Sequence, residues 1–274
     1  MAVVVQLSDP HVWRRGEYLY GELDTAASLE AAVRRVNALP QPPDLVLVTG
    51  DLINDGTMHE YGHVIDLLDK LDAPWRALVG NHDNAVNAAQ ALAADGHLLD
   101  PAGYDWAQPC SGVIDLADVR IVGLNTARPE LLNSGLLDDR DLLAAARAFA
   151  DRPDATKVIA LHHPPVAVGL AAMDAMRLAP ESAARLGDVV RNEGVAAVWC
   201  GHLHRATVTL WNGAVVTSCP STSHAIASDL RPAAPLTVSD ESPGFLVHRF
   251  ADGQLSSHVV VVGEFKSVIV DPNR

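Results

Sequence analysis

The chain has 274 residues, 49% of them hydrophobic and 20% charged, a composition that suits a folded globular protein with one large core. It carries 34 acidic and 20 basic residues and a net charge of −14, which excludes non-specific binding to long nucleic acid or to an anionic membrane surface. Three cysteines (Cys110, Cys200 and Cys219) with no short CxxC spacing do not make a disulfide framework and read as reduced thiols.

The opening residues, MAVVVQLSDPH, lack the basic start and long apolar run of a secretion signal. No stretch reaches the roughly 18 uncharged apolar residues of a membrane span. A cytoplasmic protein is expected. The run 2–7 (AVVVQL) predicts a buried strand, followed by an amphipathic helix over 25–39 with Leu29, Val33 and Val36 on one face. A strand at 44–49, a helix over 58–71 and a strand at 75–79 repeat the alternation. Strands follow at 120–124, 157–161 and 195–199, with helices at 137–150 and 182–192. Asp138 and Asp139 open the first of these helices, the favoured sign at a helix N-terminus. After about residue 208 the helical patterns stop. Strands are expected at 214–218, 245–250, 257–262 and 267–270, with WNG (211–213) as a hairpin turn. Segments 84–112, 125–135 and 224–243 read as loops. Strands alternating with helices imply an α/β fold with two packed mixed sheets. Residues 1–250 form the expected main domain, and 251–274 a small β extension whose strand pair at 257–270 could serve dimerisation through an exposed edge.

Five apolar runs end in the same vocabulary. After 2–7 comes SDPH, with Asp9 and His11; after 44–49 comes GD, with Asp51; after 75–79 comes GNHD, with Asn81, His82 and Asp83. After 157–161 comes HHPP, with His162 and His163, and after 195–199 comes CGHLH, with His202 and His204. In open α/β sheets, sites form outside the carboxyl ends of strands, so these residues can converge on one pocket. On an extended segment His202 and His204 would face the same side. Asp9, His11, Asp51, Asn81, His162, His202 and His204 supply imidazole, carboxylate and amide donors, the set that first-row divalent metals accept. They are too many for one tetrahedral zinc. With one carboxylate bridging, they serve two ions about 3.5–4 Å apart, a clamp for in-line displacement at phosphorus.

The ordered motifs D-x-H, GD, GNHD, HH and GHxH resemble those of the calcineurin-like metallophosphoesterase superfamily. The likeness is fullest with the bacterial class III cyclic-nucleotide phosphodiesterases and related glycerophosphodiester phosphodiesterases, where the stretch RRGEYLYGELDTAASLEAAVRRVNAL (14–39) and the forms HHPP and GHLH also fit. The resemblance implies a four-layer αββα sandwich. It implies that Asp9, His11 and His204 hold one divalent ion, that Asn81, His162 and His202 hold a second, and that Asp51 bridges. The ions could be Mn, Fe, Zn or Co. His163 would be a supporting neighbour rather than a ligand. His82 would face the substrate and stabilise the transition state or protonate the leaving oxygen, oriented by Asp83. Asn81 and His224 would also lie on the substrate side. His59, His63, His97, His248 and His258 read as surface or strand residues without a role.

The expected activity is hydrolysis of a small phosphodiester, such as cyclic AMP or a glycerophosphodiester, by hydroxide drawn from water whose pKa the metals lower. Relatives of this kind imply a homodimer or larger homo-oligomer. Two other readings compete. One is a phosphomonoesterase, protein phosphatase or nuclease on the same scaffold, which would want phosphate-gripping arginines or a basic track; only Arg128 and Arg205 lie near the motifs. The other is a scaffold without chemistry, against which every ligand position carries a competent residue.

Overall fold

A computed structural model describes residues 1–266 and 268–270. In chain order the first strands and helices are β1 (Ala2–Leu7), α1 (Thr25–Asn37), β2 (Leu45–Thr49), α2 (Met58–Leu68), β3 (Trp75–Leu78) and α3 (Ala85–Ala94). Then come β4 (Gly112–Leu116), β5 (Val119–Leu124), α4 (Asp139–Ala150), β6 (Thr156–Leu161), α5 (Ala171–Asp174), α6 (Pro180–Glu193) and β7 (Ala197–Cys200). The last are β8 (Thr207–Trp211), β9 (Ala214–Ser218), β10 (Ala225–Ile226), β11 (Val238–Ser239), β12 (Gly244–Ala251) and β13 (Gln254–Val261).

Two mixed sheets stack face to face, one ordered β13-β12-β1-β2-β3 and the other β4-β5-β6-β7-β9-β8. Side chains alternate along each buried strand. Val5 of β1 and Val46 and Val48 of β2 pack outward against Leu29, Val33 and Val36 of α1 and Tyr61 and Val64 of α2. Val4 and Leu47 point the other way, into a core shared with Ile121, Val158 and Trp199 of the second sheet. Ile159, Leu161 and Val198 turn outward onto Phe149 of α4 and Leu186 and Val190 of α6. Four layers, αββα, result. Strands buried on both faces have no polar alternation, which is why they read as continuous apolar runs.

Three differences from the sequence reading have physical causes. The helix α3 falls in a stretch read as loop; it is alanine-rich and carries little amphipathic signal, but Asn84 caps it by accepting from the Val86 and Asn87 amides. β4 is a half-exposed antiparallel edge strand, and its charged Asp115 breaks the apolar run. His248 is a strand residue as expected, in β12, and is fully buried: it stacks on Trp199 at 3.9 Å, donates to Gln6 Oε1 (3.1 Å) and accepts from Ser257 Oγ (2.8 Å). The third difference is His63, neither surface nor strand: it lies buried in α2, its Nδ1 donating to the Trp13 carbonyl.

At the C-terminus, β13 is the edge strand of the first sheet and pairs with β12 along its whole length. Residues 268–270 form no strand, and Ser267 of the expected run at 267–270 lies outside the described residues. Among the described residues no helix is long and apolar enough to cross a membrane.

Candidate metal centre

Parallel pairing levels the strand ends. Leu7 stands opposite Val48, and Thr49 opposite Leu78, so the turns after β1, β2 and β3 leave one edge together. The turns after β6 and β7 meet them from the second sheet, where the Gly201 amide donates to the His162 carbonyl. His202 and His204 lie beyond the last residue of β7 and are not extended. Their φ angles are 70° and 52°, and Asp9, His11 and Asp51 likewise have φ of 51°, 44° and 50°. Left-handed backbone at a non-glycine residue costs on the order of 1–3 kcal/mol and concentrates at functional sites. Here it folds each turn back so that its side chain aims inward. Two glycines make room. A Cβ at Gly50 (φ 97°) would fall 2.5 Å from His162 Nδ1, and one at Gly80 would fall 2.2 Å from Asp51 Oδ1.

Two clusters of donors form. Asp9, His11, Asp51 and His204 bring one ligand atom each within 4.8 Å of one another, and so do His162, His163 and His202. Asp51 stands between them: its Oδ2 lies 3.6 Å from His11 Nε2 and 3.3 Å from His162 Nε2. Asn81 Oδ1 is 3.2 Å and His202 Nδ1 3.3 Å from His162 Nε2. His11 Nε2 and His204 Nε2 are 3.1 Å apart, and Asp9 Oδ1 is 3.5 Å from His204 Nε2. All seven sequence-derived ligand candidates therefore converge. His163 joins the second cluster, with its Nδ1 engaged by Thr126 Oγ1 at 2.8 Å.

The donor chemistry fits divalent cations. His162 Nδ1 donates to the Thr49 carbonyl (2.8 Å) and His204 Nδ1 to the His224 carbonyl (2.9 Å), so each presents Nε2 to the cluster. That is the outer hydrogen bond that orients metal-binding histidines. The titratable groups at the clusters are strongly displaced from their ordinary values. Burial, opposed by His162 and helped by Asp51, pushes Asp9 up to about 7. Burial is the largest single influence on Asp51 and raises it, but the charge and hydrogen bond of His162 together with the His82 and His11 charges outweigh it and hold Asp51 well below the carboxylate range. Burial lowers His162 too, yet Asp51 and Asp9 win and lift it to about 9. Burial holds His11 and His202 well below the usual histidine value and His204 at about 4. Two carboxylates this close cannot both ionise freely, and bound cations remove that penalty.

The substrate-side candidates divide. His82 donates from Nδ1 to the Asn54 carbonyl (3.0 Å), leaving Nε2 for the pocket, and its ring meets that of His11 edge-on at 4.6 Å. The orienting group is thus Asn54, not Asp83, which corrects the expectation. Asp83 turns the other way: it accepts from the Gly80 and Leu52 amides and the Tyr61 hydroxyl, fixing the loop that carries Asn81 and His82. Burial, then the Asp51 charge, raises Asp83 to about 7. His224 lines the pocket with its ring 4.4 Å from that of His204. The orienting groups Thr49, Asn54 and His224 act through backbone carbonyls, which every residue type offers, so sequence carried no signal for them.

Residues 2–206 match the calcineurin-like phosphoesterase family. The chain belongs to that family. It is 34% identical over 269 residues to a probable glycerophosphodiester phosphodiesterase of Arcobacter nitrofigilis, covering 96% of this chain and 94% of that one. It is 33% identical over 244 residues to a probable cyclic nucleotide phosphodiesterase of Rhodopseudomonas palustris, covering 88% and 85%. A purple acid phosphatase from yellow lupin shares the fold at a TM-score of 0.68 and 14% identity; the match covers 95% of this chain and about half (51%) of that one.

In this calcineurin-like phosphoesterase the pocket over the clusters opens to solvent. No lysine or arginine lines it among the described residues. Arg128 is buried against Asp138, Asp141 and two carbonyls, and Arg205 pairs with Glu241. Neither grips a phosphate there.

Proposed function

We propose that the chain is a phosphodiesterase that uses two divalent ions to hydrolyse small phosphodiesters, cyclic nucleotides or glycerophosphodiesters among them. The observation that carries the reading is Asp51, a buried carboxylate within 3.6 Å of a ligand nitrogen in each cluster, at the base of a pocket without lysine or arginine. Asp9, His11 and His204 would hold one ion and Asn81, His162 and His202 the other, with Asp51 within reach of both clusters. Nitrogen and oxygen donors of this kind suit Mn, Fe, Zn or Co. When bound, the ions supply Lewis acidity at phosphoryl oxygen and lower the pKa of a water toward neutrality.

The protein's own groups do the rest. His82, tethered through Nδ1, would act as the imidazolium, its Nε2–H donating to a phosphoryl oxygen or passing that proton to the departing alkoxide and leaving the neutral ring. Asp83 keeps its loop in register, and Asn81 and His224 border the bound ester. No thiol competes as nucleophile, because Cys110, Cys200 and Cys219 are buried and burial raises all three. A monoester dianion would meet no side-chain cation beyond the histidines, which favours the diester monoanion. We further propose cytoplasmic action as a homodimer or larger assembly, with residues 251–274 contributing; Val259 and Val261 are exposed on the edge strand β13.

The test compares bis(p-nitrophenyl) phosphate with p-nitrophenyl phosphate on protein loaded with Mn²⁺, alongside cyclic AMP and glycerophosphoethanolamine. Faster diester hydrolysis is expected, and the two natural esters then separate the two diester classes. Faster monoester hydrolysis would overturn the diesterase reading while leaving the metal centre.

A further inference from the structure

The pocket has two chemically distinct halves. Its floor is the histidine, asparagine and carboxylate set described above. Its wall is Tyr20, Met173, Met176, Ile226, Leu236 and Val238. Three separate segments supply them: the loop before α1, the turn around α5, and the β10–β11 hairpin with its connecting loop.

The wall is anchored. Met173 and Ile226 pack with Leu170 and Leu203 in a small core of their own, with Met176 against it. Leu203 lies between the ligand candidates His202 and His204, so the wall's core is seated on the metal loop itself. The next residue, Arg205, donates to the Ile226 carbonyl at 2.7 Å and makes a two-pronged pair with Glu241 at 2.9 Å on each arm. Above this base the apolar groups stay uncovered: Tyr20 is 67% exposed and Leu236 53%. Tyr20 stands edge-on to the His224 ring at 6.1 Å. Among the described residues that line the pocket, Asn133 and the Tyr20 hydroxyl are the polar side-chain groups outside the floor.

We infer that this wall selects diesters with an apolar, ring-sized ester group over diesters with a polyol such as glycerol; the inference rests on the diesterase reading and sharpens it. A ring buries apolar area against methionine and leucine, and thioether side chains adapt to its shape. Glycerol hydroxyls against the same wall give up water for few side-chain partners, Asn133 and the Tyr20 hydroxyl, while methionine and leucine offer none. Tyr20, Met176 and Leu236 are the specificity-determining residues.

The experiment holds the leaving group constant. Benzyl p-nitrophenyl phosphate and glyceryl p-nitrophenyl phosphate both release p-nitrophenolate; because the glyceryl 2-hydroxyl can itself displace that group and close a cyclic phosphate, hydrolysis of each is scored by formation of the acyclic alkyl phosphate, with the protein-free rate subtracted. On Mn²⁺-loaded protein the benzyl ester should be favoured about tenfold or more in kcat/KM, the scale of burying one ring. Leu236→Ser and Met176→Gln should each bring the benzyl-to-glyceryl ratio toward one; Leu236 is exposed, so its variant keeps the test alive if the other misfolds. Calorimetry of benzyl(methyl)phosphinate against (2,3-dihydroxypropyl)(methyl)phosphinate, monoanions with no ester bond to hydrolyse, should show the same preference in Kd. Equal kcat/KM for the two diesters, or variants that slow both equally, would overturn the selective wall and leave the diesterase standing. Hydrolysis of neither diester by protein with two bound ions would overturn the diesterase reading and the wall with it.

Discussion

The floor of the pocket comes from five turns that follow parallel strands, while its wall comes from three segments with little regular structure. The floor is held by backbone: left-handed residues, a Gly80 that leaves no room for a Cβ, and carbonyls that orient histidines. The wall is held by a four-residue core and one arginine. A site that must place charges within a few tenths of an ångström needs the first kind of support. A site that must accept an alcohol of varied shape can use the second. Damage to the floor should therefore abolish chemistry, and damage to the wall should retune it.

The largest effect is expected from Asp51→Ala. It removes the carboxylate between the clusters, so metal analysis should find both ions lost and activity should fall by roughly 10³-fold or more. Retention of two equivalents would sink the bridging role. Next comes His82→Ala, which should keep two ions by the same analysis while kcat drops by about 10²–10⁴-fold, the span of one general acid. Metal loss in that variant would count against a substrate-side role.

A smaller effect separates scaffold from site. Burial, helped by His258, lowers His248 to about 3 from an ordinary 6.5, so it is neutral in the fold. Protonation then favours the unfolded chain. The stability it contributes is complete above about pH 6.5 and is lost as pH falls through about 3. Between pH 7 and 4.5 the metal-free chain should lose about 2–3 kcal/mol more than its His248→Gln variant, read from urea midpoints. Equal losses would mean His248 is not held neutral. The smallest change is expected from Arg205→Ala. Freed from Ile226 and Glu241, the hairpin should loosen and raise KM by roughly threefold with metal content intact. A variant that loses metal instead would show that floor and wall are not separable.

Much of the floor could be read in the residues. Strands buried on both faces announce themselves as apolar runs, and Asp, Asn and His recur at their ends because metals accept few other side chains. The reason given for the His202 and His204 pair was incomplete, since left-handed turns rather than an extended segment aim them. The resemblance implied that Asp83 orients His82, but the turn sends Asp83 toward Gly80 and Leu52, and the Asn54 carbonyl takes its place. The helix α3 was missed because alanines supply propensity without periodicity.

What the sequence determined by itself was the chemistry: which side chains could bind cations, and that parallel strand ends would gather them. Only the tertiary structure decided their partners and the wall. Carbonyl acceptors carry no residue identity, and Tyr20, Met173 and Leu236 are ordinary apolar residues until chain segments more than 200 residues apart meet over one pocket. Local pattern records what a strand or helix buries. It does not record which distant loop will stand across from it.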